Sequence, residues 1–475
     1  MVFSSNVFLF LFLPAFLALY YAVGSAWRSL VIVLGSYLFY AWWRPDFLLL
    51  FVAITLWNFY LGNAIRKQQQ AGNKRRGWHL LLLAVIGNLG ALAYFKYANF
   101  GIELVATVLA PLGINTFTLE TIILPLGISF YVFQAISYTV DIYRNQADPA
   151  RNLLDFAAYI SLFPQLIAGP IVRYKLVDLQ LREREHSLEL FSLGAGRFMQ
   201  GFIKKVLIAD SLAPISAAFL AEPEPQLLDA WFGLIASTLQ LYFDFSGYSC
   251  MAIGLGMMMG FRFPENFNQP FMAQSITEFW QRWHITLSEF LRDYVYFPLV
   301  RAKVAGALSA LVWTMFLSGL WHGASLAFIC WGLFFGVAMV LERRLGIATK
   351  VGGQYRVLRH LRAFLMLNLS MPLFFTGELG HSFEVYKGLL GINGMGSLQG
   401  YYYGVSSLPL LFVAVALLWL LLAGRSNYRF YHRGEQGYLF QNVAGLQAVL
   451  LWGGFALALS RLAANSFSPF LYFQF

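Results

Sequence analysis

The chain has 475 residues, of which 59% are hydrophobic, 18% aromatic and only 12% charged. Soluble domains carry about 25% charged residues, so this composition excludes an ordinary water-soluble fold and points to a protein that uses the bilayer as its solvent. The formal net charge of +10 does not mark a nucleic-acid binder, because Lys and Arg gather in short segments between apolar runs, as the positive-inside rule requires.

The first apolar run, 7–24 (VFLFLFLPAFLALYYAVG), has no Lys or Arg ahead of Arg28 and no small-residue cleavage pattern. It is expected as a retained span, not a secretion signal. Further apolar runs lie at 29–43, 47–63, 121–139, 324–341 and 405–423. Runs of this kind match the hydrocarbon thickness when wound as helix, and they lack the apolar/polar alternation of barrel strands. The expected fold class is therefore an all-α polytopic membrane protein, with about 11–13 membrane-embedded helices. With no repeat and no low-complexity linker, one integrated membrane domain over 1–475 is the simplest organisation. The cluster Arg66, Lys67, Lys74, Arg75 and Arg76 in the polar stretch 64–77 should face the cytoplasm, which places the N-terminus on the periplasmic side.

Farther along, Asp141 and Arg144 mark the end of a span, and LFPQLIAGP (162–170), with two prolines and a glycine, reads as a broken helix lining a cavity. Residues 192–220 carry Arg197, Lys204, Lys205 and Asp210 in an otherwise apolar segment. Asp244, Ser246 and Tyr248 (YFDFSGYS, 242–249), then Asn266, Asn268 and Gln269 (ENFNQP, 265–270), are polar groups in apolar surroundings. Unsatisfied polar groups are costly in lipid, so these should face a cavity or one another. For any single one, a structural hydrogen bond is the commoner role. Cys250 and Cys330 sit in apolar surroundings and are expected as free thiols.

The stretch 275–297 differs in kind. On one helix, Ile276, Phe279, Trp280, Trp283, Leu287, Phe290, Leu291 and Tyr294 form an apolar stripe, with Glu278, Gln281, Arg282, Glu289, Arg292 and Asp293 opposite. Such a helix lies along the membrane surface or over the mouth of a bundle, with His284 at the edge of the stripe. Between Lys303 and Glu342 come 38 residues without a carboxylate, Lys or Arg. As a single helix they would reach about 57 Å, so they form two spans, or a span and a re-entrant piece. His322 lies near their midpoint, within SGLWHGAS (318–325), flanked by Gly319 and Gly323, which admit the close approach of a helix or ligand. An ionisable group in such a setting is a functional hypothesis by default; capping a helix end at an interfacial turn is the plainer alternative. The chain has no HExxH, phosphate-binding loop or GxSxG, which argues against a zinc protease, an ATP-driven pump and an α/β-hydrolase. No ligand set for a metal is evident. A transporter or flippase, or a scaffold subunit of a polysaccharide secretion machine, stays open on these grounds.

Taken together, LPLGISFYVFQAISYTVDIYR (124–144), LFPQLIAGPIVR (162–173), FIKKVLIAD (202–210), YFDFSGYS (242–249), ENFNQPF (265–271), ITEFWQRWHITLSEFLRDYVY (276–296) and GLWHGAS (319–325) resemble the membrane-bound O-acyltransferase family. The match runs in order over most of the chain. Its two ends, MVFSSNVFLFLFLP (1–14) and SFSPFLYFQF (466–475), resemble more narrowly the branch that acetylates alginate and its relative in bacterial cellulose acetylation. The resemblance implies a helical bundle around a central tunnel and localisation in the bacterial inner membrane. His322 matches the family's catalytic histidine, and His284 its second polar active-site position. Asp244, Ser246, Tyr248, Asn266, Trp283 and Trp321 become candidate substrate-binding residues.

The resemblance further implies acetyl-CoA as the donor substrate, with no permanently bound cofactor, and a periplasmic acetyltransferase or acetyl-carrier protein as partner. This chain departs from the alginate pattern at Cys250, where an Asp usually follows SGYS, and at VRAKVAG (300–306), which replaces a glycine–glycine turn.

Overall fold

Among the described residues the apolar runs are largely helical, and no β-strand occurs. The computed structural model describes residues 1–112, 121–348, 352–397 and 446–464, with residues 411 and 414 in addition. The predicted run at 405–423 therefore lies almost wholly outside the described residues. Two compact units emerge, one of residues 1–191 and 255–263, the other of 192–254 and 264–475.

The first unit contains α1 (Phe8–Ala22), α2 (Arg28–Ala41), α3 (Phe47–Gln70), α4 (Lys74–Leu109), α5 (Ile128–Tyr143), α6 (Leu153–Ser161), α7 (Phe163–Leu166) and α8 (Tyr174–Arg182). Among these, α3 and α4 are long and apolar enough to cross a membrane. Spacing four residues apart makes α1 a ladder of rings: Phe8–Phe12, Phe12–Phe16 and Phe16–Tyr20 stack at 5.6, 5.8 and 6.0 Å. Phe163 meets three of those rings edge-on, at 6.1, 5.4 and 5.1 Å from Phe8, Phe12 and Phe16. Edge-to-face contact suits the ring quadrupole. The helix break predicted at 162–170 is present, between α6 and the single turn of α7. Buried Asn58 and Asn88 exchange side-chain hydrogen bonds of 2.9 and 2.7 Å between α3 and α4, the kind of polar link that holds helices together where lipid offers no partner. Asp141, buried near the end of α5, pairs with Lys175 at 3.1 Å.

The second unit opens within α9 (Leu188–Ile203) and continues through α10 (Asp210–Ala221) and α11 (Leu227–Met258), whose last residues from Leu255 belong to the first unit. Then come α12 (Ile276–Trp280), α13 (Ile285–Leu291), α14 (Phe297–Arg301), α15 (Ala307–His322), α16 (Leu326–Arg344), α17 (Arg356–Thr376), α18 (Leu379–Leu389) and α19 (Leu446–Ala464). A π-helical turn, Lys204–Ala209, joins α9 to α10. It buries Lys205 between two carboxylates, Asp210 and Asp244, each 2.7 Å away. The neutral stretch after Lys303 forms two helices, α15 and α16, and α16 meets the length and hydropathy of a membrane span. The two cross at backbone contact: a Cβ on Gly319 would strike the carbonyl oxygen of Phe328, and one on Gly332 that of Met315.

The expected single helix over 275–297 is not formed. The chain is helical at 276–280, turns, and resumes at 285, with His284 in the left-handed region at φ 43° and ψ 52°. The apolar stripe is nonetheless buried, with Ile276, Phe279, Trp280, Leu287, Phe290 and Leu291 in the interior. Glu278, expected on the wet face, is buried as well. Cys250 and Cys330 are free thiols as expected, although only Cys250 is buried.

Candidate active site

Three sets of hydrogen bonds convert the 275–297 sequence into a broken helix. Ser275 caps α12 by accepting from the Glu278 backbone N–H at 3.0 Å, while a Glu278 carboxylate oxygen accepts from the Gln274 N–H at 2.8 Å, a variant of the capping box. The buried Glu342 carboxylate of α16 then accepts from the first N–H groups of α12, Ile276 and Thr277, at 2.8 and 2.9 Å, and from the Thr277 hydroxyl at 2.9 Å. Arg362 of α17 stands 3.4 Å from the same carboxylate. A carboxylate at a helix N-terminus is favoured by both the orphan N–H groups and the helix dipole.

At the other end of α12, residues 265–270 run antiparallel to 281–286. The Asn268 N–H donates to the Arg282 carbonyl at 2.8 Å and the Ile285 N–H to the Asn266 carbonyl at 3.0 Å, around a bridge between Phe267 and Trp283. Arg282 is tied down by Glu278 at 2.8 Å and by the Asn268 carbonyl at 3.1 Å. The turn is fixed by its neighbours and not by its own sequence.

This frame pulls His284 inward. The residue is 1% exposed, and its Nδ1 lies 3.1 Å from the side-chain oxygen of Asn266. His284 belongs to none of the long apolar helices; burial pushes its pKa down to about 3, so the ring is neutral near pH 7. Phe245 meets the imidazole edge-on at 4.8 Å and Trp321 at 5.9 Å. His322, the last residue of α15, is buried in a cage of rings, T-shaped to Trp321, Trp331 and Phe374 at 4.8, 5.0 and 5.2 Å.

Both histidines line one small cavity, walled chiefly by aromatic side chains that include Phe245, Trp280, Trp283, Trp331 and Phe374. Among the described residues, Thr238 supplies the one other polar side chain of the lining apart from the indoles, and no carboxylate lines it. The indole N–H groups of Trp280 and Trp331, and Nε2 of His284, are buried without a hydrogen-bond partner among the described residues. Unpaired buried polar atoms cost about 1–3 kcal/mol each, and a polar guest in this cavity would find three of them in its lining. The arrangement suits acyl transfer: a nitrogen base beside a neutral imidazole, in a wall of rings that keeps water away from a reactive ester.

Of the candidates the sequence pointed to, His322, His284 and Trp283 reach this cavity, and Trp321 packs against both histidines. Asn266 lies behind His284. Asp244 is occupied by its ion pair with Lys205, and Ser246 and Tyr248, although buried, do not line the cavity. Cys250 is also off the cavity, where its sulfur accepts from Lys204 Nζ at 3.6 Å. Trp280 and Trp331 were hidden in the sequence as ordinary members of apolar runs. The Ser275–Glu278 spacing was a visible sign that a helix starts there, but nothing in 281–284 announces a stop.

The family model described as "MBOAT, membrane-bound O-acyltransferase family" matches residues 144–346. The chain is 44% identical to the "Probable alginate O-acetylase AlgI" of Pseudomonas putida and 45% identical to the protein of that name from Azotobacter vinelandii, in each case over 100% of both chains. It is 34% identical to the "Peptidoglycan O-acetyltransferase" of Helicobacter pylori over 83% of this chain and 81% of that protein.

Proposed function

The chain belongs to the membrane-bound O-acyltransferase family, and from that premise we propose that it carries acetyl groups from cytoplasmic acetyl-CoA across the bacterial inner membrane for O-acetylation of an exopolysaccharide, alginate being the acceptor favoured. The observation that carries the reading is the single aromatic cavity lined by both His322 and His284. Alginate is preferred over cellulose because the full-length relatives at 44% and 45% identity bear the alginate name.

In this reading His322 is the general base. It takes the proton of a hydroxyl nucleophile as that oxygen attacks the thioester carbonyl; the new C–O bond forms, the C–S bond breaks, and the departing thiolate recovers the proton from His322. His284 orients a reacting group within the same cavity, and the ring-lined wall protects the acetyl group from hydrolysis. Because the polymer lies outside the cell membrane, a periplasmic acetyltransferase or acetyl-carrier protein receives the acetyl group and completes its delivery.

The test is the acetyl content of the secreted polymer from cells carrying the wild type or His322→Ala, with membrane abundance matched. Loss of acetyl with polymer yield intact is the expected result. Unchanged acetylation would remove His322 from the chemistry, and loss of polymer itself would favour a role in secretion.

A further inference from the structure

Asn266 carries more information than a buried amide usually does, because its orientation is settled by groups whose own roles are not in doubt. Its Nδ2 donates to the Ser249 hydroxyl at 3.1 Å. Its Oδ1 faces the backbone N–H of Thr286 at 3.3 Å and the Thr286 hydroxyl at 2.8 Å. A backbone N–H can only donate, so the atom in front of it is the oxygen. That same oxygen lies 3.1 Å from Nδ1 of His284. An acceptor facing Nδ1 requires the proton to sit there, and in a neutral imidazole the lone pair is then on Nε2. Asn266 is fully buried and does not line the cavity, whereas His284 does. The Nε2 edge, opposite the amide, is the one left for the cavity, and it has no partner among the described residues.

We propose that Asn266 is a positioning residue whose side-chain oxygen locks His284 in the Nδ1–H tautomer, so that His284 meets the reacting groups as a hydrogen-bond acceptor through Nε2. The proposal rests on the acyl-transfer reading for its chemistry. An acceptor nitrogen orients the O–H of the nucleophile, and it cannot donate to the thioester carbonyl. The two histidines of the cavity thereby take different parts, His322 removing a proton and His284 aiming the group that carries it. The backbone supports the same purpose. A left-handed conformation at a residue other than glycine costs about 1–2 kcal/mol, and the antiparallel pairing of 265–270 with 281–286 sustains it at His284.

The experiment is nitrogen-15 NMR of the purified full-length protein with labelled histidine, the His284 signals assigned by difference against His284→Gln. The expected spectrum at neutral pH has a protonated Nδ1 and a bare Nε2. Asn266→Ala should shift His284 toward the Nε2–H form and lower acetyl transfer by about 10–100-fold, the usual effect of removing a partner that orients a functional histidine. Asn266→Asp keeps an acceptor oxygen and should restore both the tautomer and most of the rate, which a purely structural role for the amide would not do. A wild-type His284 protonated at Nε2, or an Asn266→Ala spectrum identical to wild type, would overturn the proposal. The spectrum needs no turnover, so failure of the acetyl-transfer reading would show separately, as a normal tautomer in a protein whose His322→Ala variant still acetylates.

Discussion

Two histidines, one in each unit, are held by opposite arrangements. In the first unit, His186 has polar neighbours at both nitrogens: the Tyr20 hydroxyl, which donates to the Met259 carbonyl at 2.7 Å, lies 3.0 Å from Nε2, while Arg28 Nη1 and the Arg184 carbonyl lie 3.0 and 3.2 Å from Nδ1. It is a joint that ties Tyr20, Arg28 and Arg184 together. In the second unit, His284 spends Nδ1 on Asn266, and its Nε2 has no partner among the described residues. Buried polar atoms are usually paired, so in the proposed reading the difference sets an architectural histidine beside one that faces the reacting groups. Burial alone does not make this distinction. Gln134, in the first unit, is fully buried, and both its amide atoms lack a hydrogen-bond partner among the described residues.

The sharpest way to break the comparison is to remove each histidine in turn. His284→Ala should lower acetyl transfer by about 10²–10⁴-fold, the range spanned by positioned proton-handling groups, with the protein still present in the membrane; an acetyl content within twofold of wild type would put His284 in the same class as His186. The frame around His284 comes next. Glu342→Ala leaves the Ile276 and Thr277 N–H groups without their acceptor, a loss of about 1–3 kcal/mol for each group. The thermal unfolding midpoint of the purified protein should fall, and transfer should fall with it.

Gly319→Val tests the other histidine's support: its side chain would collide with the Phe328 carbonyl oxygen and cost about 1–3 kcal/mol as overpacking, displacing His322 one helical turn away. The smallest effect belongs to His186→Ala, with acetyl transfer unchanged and stability lowered by about 0.5–1.5 kcal/mol from lost hydrogen bonds. Burial first, and the Arg28 charge second, hold the His186 pKa below its ordinary 6.5. The unfolded chain therefore binds the proton more readily, and stability present above pH 6.5 is lost as the pH falls from there through the lower pKa of the folded chain. His186→Ala should flatten the acid side of the stability curve, and an unaltered slope would show that His186 is not the group responsible.

Much of the fold was legible because it follows from one-dimensional facts. A neutral stretch too long for a single span had to become two helices, and α15 and α16 are those helices. Histidine flanked by glycines in such a stretch was likewise visible, and Gly319 does admit the neighbouring backbone. The turn before His284 was not legible. Residues 281–284 include no Gly or Pro, and their periodicity favours continuing the helix; the break is imposed by Glu342 and Arg362 from one side and by the 265–270 segment from the other. Asp244 was visible as a carboxylate in apolar surroundings, but its neutralisation by Lys205 depends on a contact between residues far apart in the chain. Periodicity describes a helix against a generic interior, whereas these details depend on particular partners.

The contact between Gly319 and Gly332 fixes more than a crossing angle. Helices that meet through long side chains can slip past one another as rotamers change, and their relative height then follows the lipids around them. Two touching backbones have no such play. The next residue before Gly332 is Trp331, whose ring stands 5.0 Å from His322. His322 is thus indexed to α16 and not to the bilayer. Longer or shorter acyl chains in the surrounding lipid would change how the pair tilts, while the backbone contact keeps the histidine and the indole beside each other.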